Sequence, residues 1–310
     1  MSDVAGRGGA GDPLVGQQLA GGHRIVERIA QGGLSDVYRA VDDAGEAAIV
    51  KVLAALYEAT PLALRFLREA ELAERLGGRG VARSLGAGTI DGRPYLVLES
   101  VRGELLAERL RARPPSAGEA VAIARAVLGA LGSLHAAGVV HRDVKPANVV
   151  LCGDGTARLI DLGAAAVDAG DAAEALGTPA YVAPEQVEGG AGDARSDLYA
   201  VGVMLFEMLA GRRPFAGDPV AVLRAKVERE APRLREAAAG ASAGASAGAS
   251  ARASGGPLAR TLSEPSAELE AVVARALSRR AEERFTEARE MAEALAAVPE
   301  AGGDGAGGAG

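Results

Sequence analysis

The sequence of 310 residues contains one cysteine, Cys152, no tryptophan and only 3% aromatic residues. A single cysteine cannot form an intrachain disulfide, which excludes a secreted scaffold held together by disulfides. We interpret Cys152 as a small core or strand-end residue, and a reactive thiol is the alternative. Because aromatic side chains are scarce, the hydrophobic core has to be built mainly from leucine, valine, isoleucine and alanine.

The chain also lacks a long apolar run and an excess of positive charge. It has no stretch of about 18 uninterrupted apolar residues, which a membrane-spanning helix requires, and residues 1–13 lack the apolar part of a signal peptide. The formal net charge is −7, which argues against a nucleic-acid-binding surface. We therefore expect a cytoplasmic protein with no membrane segment and no nucleic-acid partner.

Composition and periodicity divide the chain into segments. We expect residues 1–20 to form a disordered, glycine-rich tail. Short apolar strands alternate with turns in residues 21–100, whereas long helical patterns dominate residues 101–298. An Ala/Gly/Ser repeat at 237–256 interrupts the helical part and cannot bury a core, and residues 299–310 form a second glycine-rich tail. This pattern predicts two lobes with a ligand-binding cleft between them.

Three features of the first hundred residues are each weak evidence for phosphate binding when taken alone. The segment Ile29–Tyr38 places glycines between two strands, where backbone N–H groups can approach a phosphate closely. Lys51 ends an apolar strand, and an ordinary surface lysine is the alternative. Glu69 lies on a predicted helix, where it could equally be a solvated charge. Together, the lysine and the glutamate would form an ion pair that fixes an ammonium group against phosphate oxygens.

The most specific segment is 140–149, which reads VHRDVKPANV. It places histidine, arginine, aspartate, lysine and asparagine close together between a predicted helix and an apolar strand. A short distance later, Asp161 follows another apolar strand, where its carboxylate can hold a metal ion. This combination of residue types indicates a site for phosphates and a divalent metal.

With these motifs the chain resembles the eukaryotic-like protein kinases, and in particular their bacterial serine/threonine branch. That family shows, in order, a glycine-rich loop, a strand lysine, H-R-D-x-x-x-x-N, D-F-G and A-P-E. The A-P-E motif corresponds here to Ala183-Pro184-Glu185. The long buried helix of the family would start at Ser196-Asp197, and Arg284 matches the arginine that pairs with the A-P-E glutamate.

The resemblance implies a protein kinase domain over residues 21–298, of the α+β class and with the two-lobed protein kinase fold. The N-lobe, residues 21–100, would be a small antiparallel β-sheet with one helix. The C-lobe, residues 101–298, would be larger and mainly α-helical. The implied activity is that of a serine/threonine protein kinase, which uses ATP and Mg²⁺, or Mn²⁺ in its place, to phosphorylate protein substrates and itself.

The resemblance also assigns roles to individual residues. Asp143 would accept the proton of the substrate hydroxyl, and Lys145 would neutralise the γ-phosphate. Lys51, paired with Glu69, would bind the α- and β-phosphates, and Thr178 would help to position Asp143. The metal ligands would be Asn148 and Asp161. The ATP-binding residues would be Ile29, Ala30, Gln31, Gly32, Gly33, Leu34, Ser35, Val37, Ala48, Lys51, Glu99 and Val101, with Leu98 at the back of the pocket.

The chain departs from the family pattern in the glycine-rich loop and in the D-F-G motif. Ala30 stands in place of the first loop glycine and Ser35 in place of the third, while Gly32 keeps the central one. Small residues at the outer positions should leave the loop able to close. Leu162 replaces the phenylalanine of D-F-G, which removes no ligand.

The segment between Gly163 and Gly177 contains no serine, threonine or tyrosine. Arg142 is typical of kinases that recruit a phosphorylated activation segment. Our hypothesis is that a carboxylate in this segment partly replaces the phosphate, and the alternative is that these acids are simply solvated. The candidates are Asp168, Asp171 and Glu174.

Serines and threonines in and beside the Ala/Gly/Ser repeat are candidates for autophosphorylation. The alternative is that the repeat is a passive spacer. The candidate residues are Ser242, Ser246, Ser250, Ser254, Thr261 and Ser263.

Two other functions compete with a protein kinase. A pseudokinase scaffold usually lacks one of the residues that correspond to Lys51, Asp143 and Asp161, and this chain has all three. A small-molecule kinase typically lacks the A-P-E segment and the helix start at Asp197, and both are present here. The residues therefore favour an active protein kinase over either alternative.

Overall fold

The computed structural model describes residues 12–32, 35–57, 61–78, 80–162, 178–237 and 265–299. The chain forms two compact units. The first unit comprises residues 1–101 together with 161–166, and the second comprises 102–160 together with 167–310. The segment at Asp161 therefore belongs to the first unit, although it lies far along the chain.

The first unit is built on a five-stranded antiparallel sheet in the order β1-β2-β3-β5-β4. Its strands are β1 Arg24–Gln31, β2 Ser35–Val41, β3 Ala47–Leu53, β4 Ser84–Ile90 and β5 Arg93–Glu99. A 3₁₀ turn, Ala55–Tyr57, follows β3 and leads toward helix α1, Pro61–Leu76. Neighbouring strands in sequence pair as hairpins, and α1 occupies the connection between β3 and β4.

Strand β4 was not among the elements that the sequence predicts. Its sequence, SLGAGTI, contains two glycines and is mostly exposed, so it shows no clear alternation of apolar and polar residues. Pairing with β5 defines it instead. A Cβ atom at Gly88 would lie 2.6 Å from the hydroxyl oxygen of Tyr95, so the absence of a side chain allows the buried tyrosine to pack there.

Residues 12–20 correct one sequence-based expectation. Leu14 and Leu19 are 1% and 4% exposed and belong to the same hydrophobic cluster as Ile25 and Tyr38. The backbone N–H of Ala20 donates a hydrogen bond to the hydroxyl of Tyr95 at 3.0 Å. The prediction of a disordered tail over residues 1–20 is therefore wrong for 12–20. Two isolated leucines in a polar stretch have no periodicity, and only the neighbouring sheet gives them a surface to cover.

The second unit is mainly helical. Its strands are β6 Glu104–Leu105, β7 Val149–Leu151 and β8 Ala157–Leu159, which form a small antiparallel sheet. Its helices are α2 Leu106–Ala112, α3 Ala117–Ala136, α4 Pro184–Val187, α5 Ala194–Ala210, α6 Pro219–Glu228, α7 Ala267–Ala276 and α8 Ala288–Ala296, with 3₁₀ turns at Pro146–Asn148 and Ala281–Glu283. The first unit is thus an antiparallel sheet with one long helix, and the second is larger and mainly helical. This confirms the predicted α+β fold class.

Helix α5 forms the centre of the second unit, and most of its residues are buried. It begins at Ala194, ahead of the predicted start at Ser196-Asp197, because the Asp193 side chain caps it by accepting a hydrogen bond from the Arg195 N–H. A Cβ atom at Gly202 would lie 2.9 Å from the Cβ of Ala276, so this glycine allows α5 to approach α7 closely.

Helix α3 packs against α5 and α8. A capping box formed by Ser116 and Glu119 starts it. In the described part of the chain, α3 is the one helix that is long and apolar enough to cross a membrane, judged by length and composition alone. The buried core helix of a soluble protein passes the same test, so the expected lack of a membrane segment stays a prediction.

Candidate active site

Strand β3 and helix α1 bring Lys51 and Glu69 together, as the sequence predicts. The Nζ atom of Lys51 lies 2.5 Å from Glu69 Oε1 and 2.8 Å from Asp161 Oδ1. The side chains of Lys51 and Glu69 are 11% and 5% exposed, whereas that of Asp161 is 35% exposed. Asp161 was expected to be a metal ligand, and here it also completes an ion triad.

The ion triad keeps Lys51 charged. Burial by itself disfavours the ammonium form, but the charges of Glu69 and Asp161 outweigh it and raise the pKa of Lys51 above its usual value. A lysine that stays protonated at every physiological pH can serve as a fixed positive charge for phosphate oxygens. Because Asp161 is the most exposed member, it is also the carboxylate best placed to exchange this contact for a ligand.

The hairpin between β1 and β2 contains the glycine-rich turn. The N–H of Gly32 donates to the Ser35 carbonyl oxygen at 3.0 Å, and a Cβ atom at Gly32 would lie only 2.6 Å from that oxygen. The turn therefore requires a glycine at this position. The neighbouring residues Ile29, Ala30, Gln31 and Gly32 are exposed on β1 and at its end. Gly33 and Leu34 lie outside the described residues.

The other predicted ATP-binding residues lie on β2, β3 and β5. Ala48 is fully buried and pairs with Glu99 across β3 and β5, and Val37 is half-buried on β2. The Glu99 carboxylate accepts a hydrogen bond from the Arg83 N–H at 2.9 Å, and the Glu99 N–H donates to the Arg83 carbonyl at the same distance. Val101, half-buried, is the last residue of this stretch of the first unit.

In the second unit, the loop after α3 assembles a cluster around Asp143. The Nζ atom of Lys145 donates to Asp143 Oδ2 at 2.6 Å, and the Asn148 amide nitrogen donates to the same oxygen at 3.0 Å and to the Asp143 carbonyl at 2.9 Å. The side chains of Asp143 and Lys145 are 18% and 21% exposed. Lys145 and Asn148 therefore both contact Asp143, and the carboxylate of Asp143 remains partly accessible although Asn148 is buried.

A buried carboxylate, Asp197, holds this loop in place. Its two oxygens accept hydrogen bonds from the backbone N–H groups of His141 and Arg142, each at 2.8 Å, and His135 Nε2 lies 2.8 Å from Oδ2. Arg142 has φ of +63°, a left-handed conformation that is strained for a residue other than glycine. The sequence marked Asp197 only as the start of a helix, and its anchoring role depends on contacts 55 and 56 residues away in the chain.

The segment from Thr178 to Glu185 is tied to the second unit at several points. Thr178 lines a small cavity that Asp143 also lines. Arg284 binds Glu185 through two hydrogen bonds of 2.8 and 2.7 Å, the pair that the sequence predicts. Burial opposes ionisation of Glu185, but Arg284 outweighs that effect and lowers the pKa of the carboxyl group. The Ser196 hydroxyl donates to the same carboxylate at 2.7 Å.

Lys226 is a residue that sequence reasoning missed. It lies on α6, is 1% exposed, and its Nζ donates to the carbonyl oxygens of Ala180 and Val182 at 2.7 and 2.6 Å. The ammonium group also lies 4.9 Å from the centre of the Tyr199 ring. Burial, followed by the charges of Arg284 and Arg213, lowers the pKa of Lys226 to about 7. Helix periodicity treats a lysine at this position as a solvated charge, so no local signal reveals it.

Asn148 and Asp161 each carry an oxygen atom of the kind that binds a divalent metal together with phosphates. The amide nitrogen of Asn148 is engaged with Asp143, which leaves its oxygen as the ligand atom. Mg²⁺ in phosphate-binding sites is held by one or two protein oxygens, with phosphates and water completing the shell. No cluster of three His, Cys, Asp or Glu side chains occurs in the described residues, and such a phosphate-dependent site needs none. Asn148 belongs to the second unit and Asp161 to the first.

Several predicted residues lie outside the part of the chain that the structure describes. The activation segment from Gly163 to Gly177 is among them, so the hypothesis that its carboxylates face Arg142 stays a prediction. The same holds for the serines and threonines in and beside the Ala/Gly/Ser repeat. Ala237, the first residue assigned to that repeat, is instead helical and fully buried.

Comparison with known proteins gives a family match over nearly all of this region. The family model described as protein kinase domain matches residues 23–296. The chain is 39% identical over 233 residues to the serine/threonine-protein kinase PknL of Mycobacterium bovis, an alignment that covers 73% of this chain and 58% of that protein. It is 38% identical over 232 residues to the serine/threonine-protein kinase PknA of Mycobacterium tuberculosis, which covers 71% and 54%.

A more distant relative is the probable serine/threonine-protein kinase pknA2 of Bifidobacterium longum. It is 34% identical over 235 residues, which covers 72% of this chain and 31% of that protein. The chain thus spans little more than half the length of the first two relatives and less of the third. These comparisons confirm the resemblance to bacterial serine/threonine protein kinases.

Proposed function

Because this chain belongs to the protein kinase family, we propose that it transfers the γ-phosphate of ATP to serine and threonine hydroxyls of protein substrates. The observation that carries the proposal is the cluster in which Lys145 and Asn148 both contact Asp143. A general base must lie within hydrogen-bond reach of the proton that it accepts and must remain accessible to the substrate. Asp143 is fixed by two partners and is still partly exposed.

The chemical step requires one proton acceptor and several fixed positive charges. Asp143 accepts the hydroxyl proton while the hydroxyl oxygen bonds to the γ-phosphorus and the bond from that phosphorus to ADP breaks. Lys145 offsets the charge on the transferred phosphoryl group, and Lys51 holds the remaining phosphates. A divalent ion, for which we propose Mg²⁺ with Mn²⁺ as a substitute, would be held by Asn148 and Asp161 and would neutralise phosphate charge.

Two alternatives are less well supported than a protein kinase. A pseudokinase would not need to preserve Lys51, Asp143 and Asp161, yet each is held by specific contacts. A small-molecule kinase would not need the segment around Glu185, yet Arg284 binds that residue with two hydrogen bonds. Protein substrates, self-phosphorylation, a role in signalling and a cytoplasmic location belong to the same proposal.

The test is transfer of the γ-phosphate to generic serine-, threonine- and tyrosine-containing acceptors, with Mg²⁺ or Mn²⁺ supplied. We expect phosphoserine and phosphothreonine but no phosphotyrosine. Asp143→Asn should lower the rate by about 10²–10⁴-fold, the usual contribution of a general base. Asp43→Asn, in the exposed turn between β2 and β3, should leave it unchanged. Absence of any ATP-dependent phosphorylation by the wild-type protein would contradict the proposal.

A further inference from the structure

A cavity of about 670 Å³ lies in the second unit beside the Asp143 cluster. Its size is in the range of roughly 300–1,000 Å³ that is typical of ligand pockets. The walls come from α2, the loop after Asp143, the segment at Thr178 and the end of α5. The lining includes Arg111, Lys145, Thr178, Tyr181, Glu207 and Arg213.

The cavity is adjacent to the proposed chemistry. Lys145 lines it and contacts Asp143 at 2.6 Å. Thr178 lines both this cavity and the small cavity that contains Asp143. A peptide whose hydroxyl group reaches Asp143 would therefore place residues close to the acceptor in this space. The side chains that line the cavity can then select among substrate sequences.

The charged side chains of the lining do not balance. Lys145 is neutralised by Asp143, at 2.6 Å. Arg111 and Arg213 are both exposed, and in the described part of the chain neither has a carboxylate oxygen within 4.0 Å. Among the described residues, the one acidic residue in the lining is Glu207. Within that part of the chain, two arginines without an ion-pair partner thus face a space that contains a single carboxylate.

Glu207 is poorly suited to act as an anionic site for a basic side chain. Its carboxylate already accepts a hydrogen bond from the Tyr181 hydroxyl. Burial raises the pKa of the Glu207 carboxyl group, although the bond from Tyr181 and the charge of Arg213 act in the opposite direction. By contrast, the exposed guanidinium groups of Arg111 and Arg213 are always charged and offer planar pairs of donors, which suit a carboxylate.

We propose that this cavity selects substrates with an acidic side chain close to the acceptor residue, and that Arg111 and Arg213 determine this specificity. The proposal rests on the proposed protein kinase function and adds a substrate class to it. The acidic residue can lie on either side of the acceptor. Aspartate and glutamate are the expected ligands.

The experiment uses a set of peptides with one threonine acceptor in a neutral background. Aspartate, asparagine or lysine is placed singly at each of the five positions on either side, and kcat/KM is measured with Mg²⁺ and ATP. We expect aspartate to exceed asparagine, and asparagine to exceed lysine, at one or two positions. Exposed ion pairs are worth about 0.2–1 kcal/mol, so each arginine should contribute roughly a 1.5- to 5-fold preference.

Arginine variants with matched controls assign the preference to the cavity. Arg111→Gln and Arg213→Gln should each reduce the ratio of aspartate to asparagine, and the double variant should remove it, while kcat/KM for the asparagine peptides stays near the wild-type value. Arg113→Gln and Arg212→Gln change neighbouring exposed arginines that do not line the cavity, and they should leave the ratio unchanged. The preference should also weaken as salt is raised.

The outcomes separate this inference from the proposed function. Equal kcat/KM values for the aspartate, asparagine and lysine peptides would overturn the inference while leaving the kinase activity intact. A preference for lysine that Glu207→Gln removes would overturn it as well, in favour of Glu207 as the selecting group. An aspartate preference that survives in the double variant would also contradict it. Lack of phosphorylation of every peptide would instead contradict the proposed function.

Discussion

The two units treat their key charged residues in opposite ways. In the first, Lys51 is itself buried, and the carboxylates of Glu69 and Asp161 hold its ammonium group. In the second, the carboxylate of Asp143, the proposed proton acceptor, stays partly exposed, and the buried charges belong to Asp197, which holds the same loop, and to Arg284, which binds Glu185. Substitutions in the first unit should therefore change stability and activity together, whereas the second should separate the two effects.

The largest effect on stability is expected from Arg284→Met in the second unit. The arginine side chain is fully buried, and its two hydrogen bonds to Glu185 would be lost, leaving a partly buried carboxylate without its cation. Removing one partner of a buried ion pair costs about 3–5 kcal/mol, and the free energy of unfolding in urea measures it. Arg280→Met removes an exposed pair with Glu282 and should leave the unfolding free energy nearly unchanged. Equal losses in the two variants would show that burial does not govern this pair.

Glu69→Gln should combine both kinds of effect in one variant. It removes the closer of the two carboxylates that hold Lys51 and leaves a buried ammonium with Asp161 as its remaining anion. We expect a loss of about 1–3 kcal/mol in unfolding free energy and a higher KM for ATP, because the ammonium is held less firmly.

The control for this prediction is Glu71→Gln, an exposed residue of the same helix α1. It should change neither quantity. If Glu69→Gln affected KM without affecting stability, the first unit would not differ from the second in the way described above.

The lowered pKa of Lys226 predicts that the free energy of unfolding depends on pH. Its pKa in the folded protein is lowered to about 7, first by burial, from an ordinary value of 10.5. Below pH 7 both the folded and the unfolded state carry the protonated lysine. Between pH 7 and 10.5 the folded state holds fewer protons, so the unfolding free energy rises with pH by at most about 1.4 kcal/mol per unit.

Lys226→Met should reduce this rise between pH 7 and 9, measured by urea unfolding at several pH values. Arg224→Met, an exposed residue on the same helix with an i,i+4 partner in Glu228, should retain it. Parallel pH profiles for the wild type and the Lys226 variant would mean that the ammonium stays protonated beside the two carbonyl groups.

The smallest effect on stability should come from Lys145→Met. The side chains of Lys145 and Asp143 are 21% and 18% exposed, so their pair is partly solvated and the unfolding free energy should change by less than it does in Glu69→Gln. The value of kcat should nevertheless fall, because a positive charge next to the transferred phosphoryl group is lost. A stability loss as large as that of Glu69→Gln would remove the distinction between the two clusters.

Much of the fold and of the site could be predicted from the sequence. Apolar residues at helical spacing predict helices over 61–76, 117–137, 197–210, 267–278 and 286–297. The observed helices α1, α3, α5, α7 and α8 lie within three residues of these bounds. The pairs Lys51–Glu69 and Glu185–Arg284 followed from the resemblance and are present. Strand β4 could not be predicted, since two glycines and exposed side chains leave it without an alternating pattern.

The sequence by itself determined the chemistry of this protein: the lysine, aspartate and asparagine types and their order along the chain, which identify the family. Only the tertiary structure decided which charges support that chemistry. Leu14 and Leu19 become core residues because a sheet end needs covering, and Lys226 becomes a buried donor because two carbonyl groups face it. The exposed residues Arg111 and Arg213 likewise come together only because segments far apart in the chain form one cavity. Such roles depend on contacts between residues far apart in the chain, which local sequence patterns do not encode.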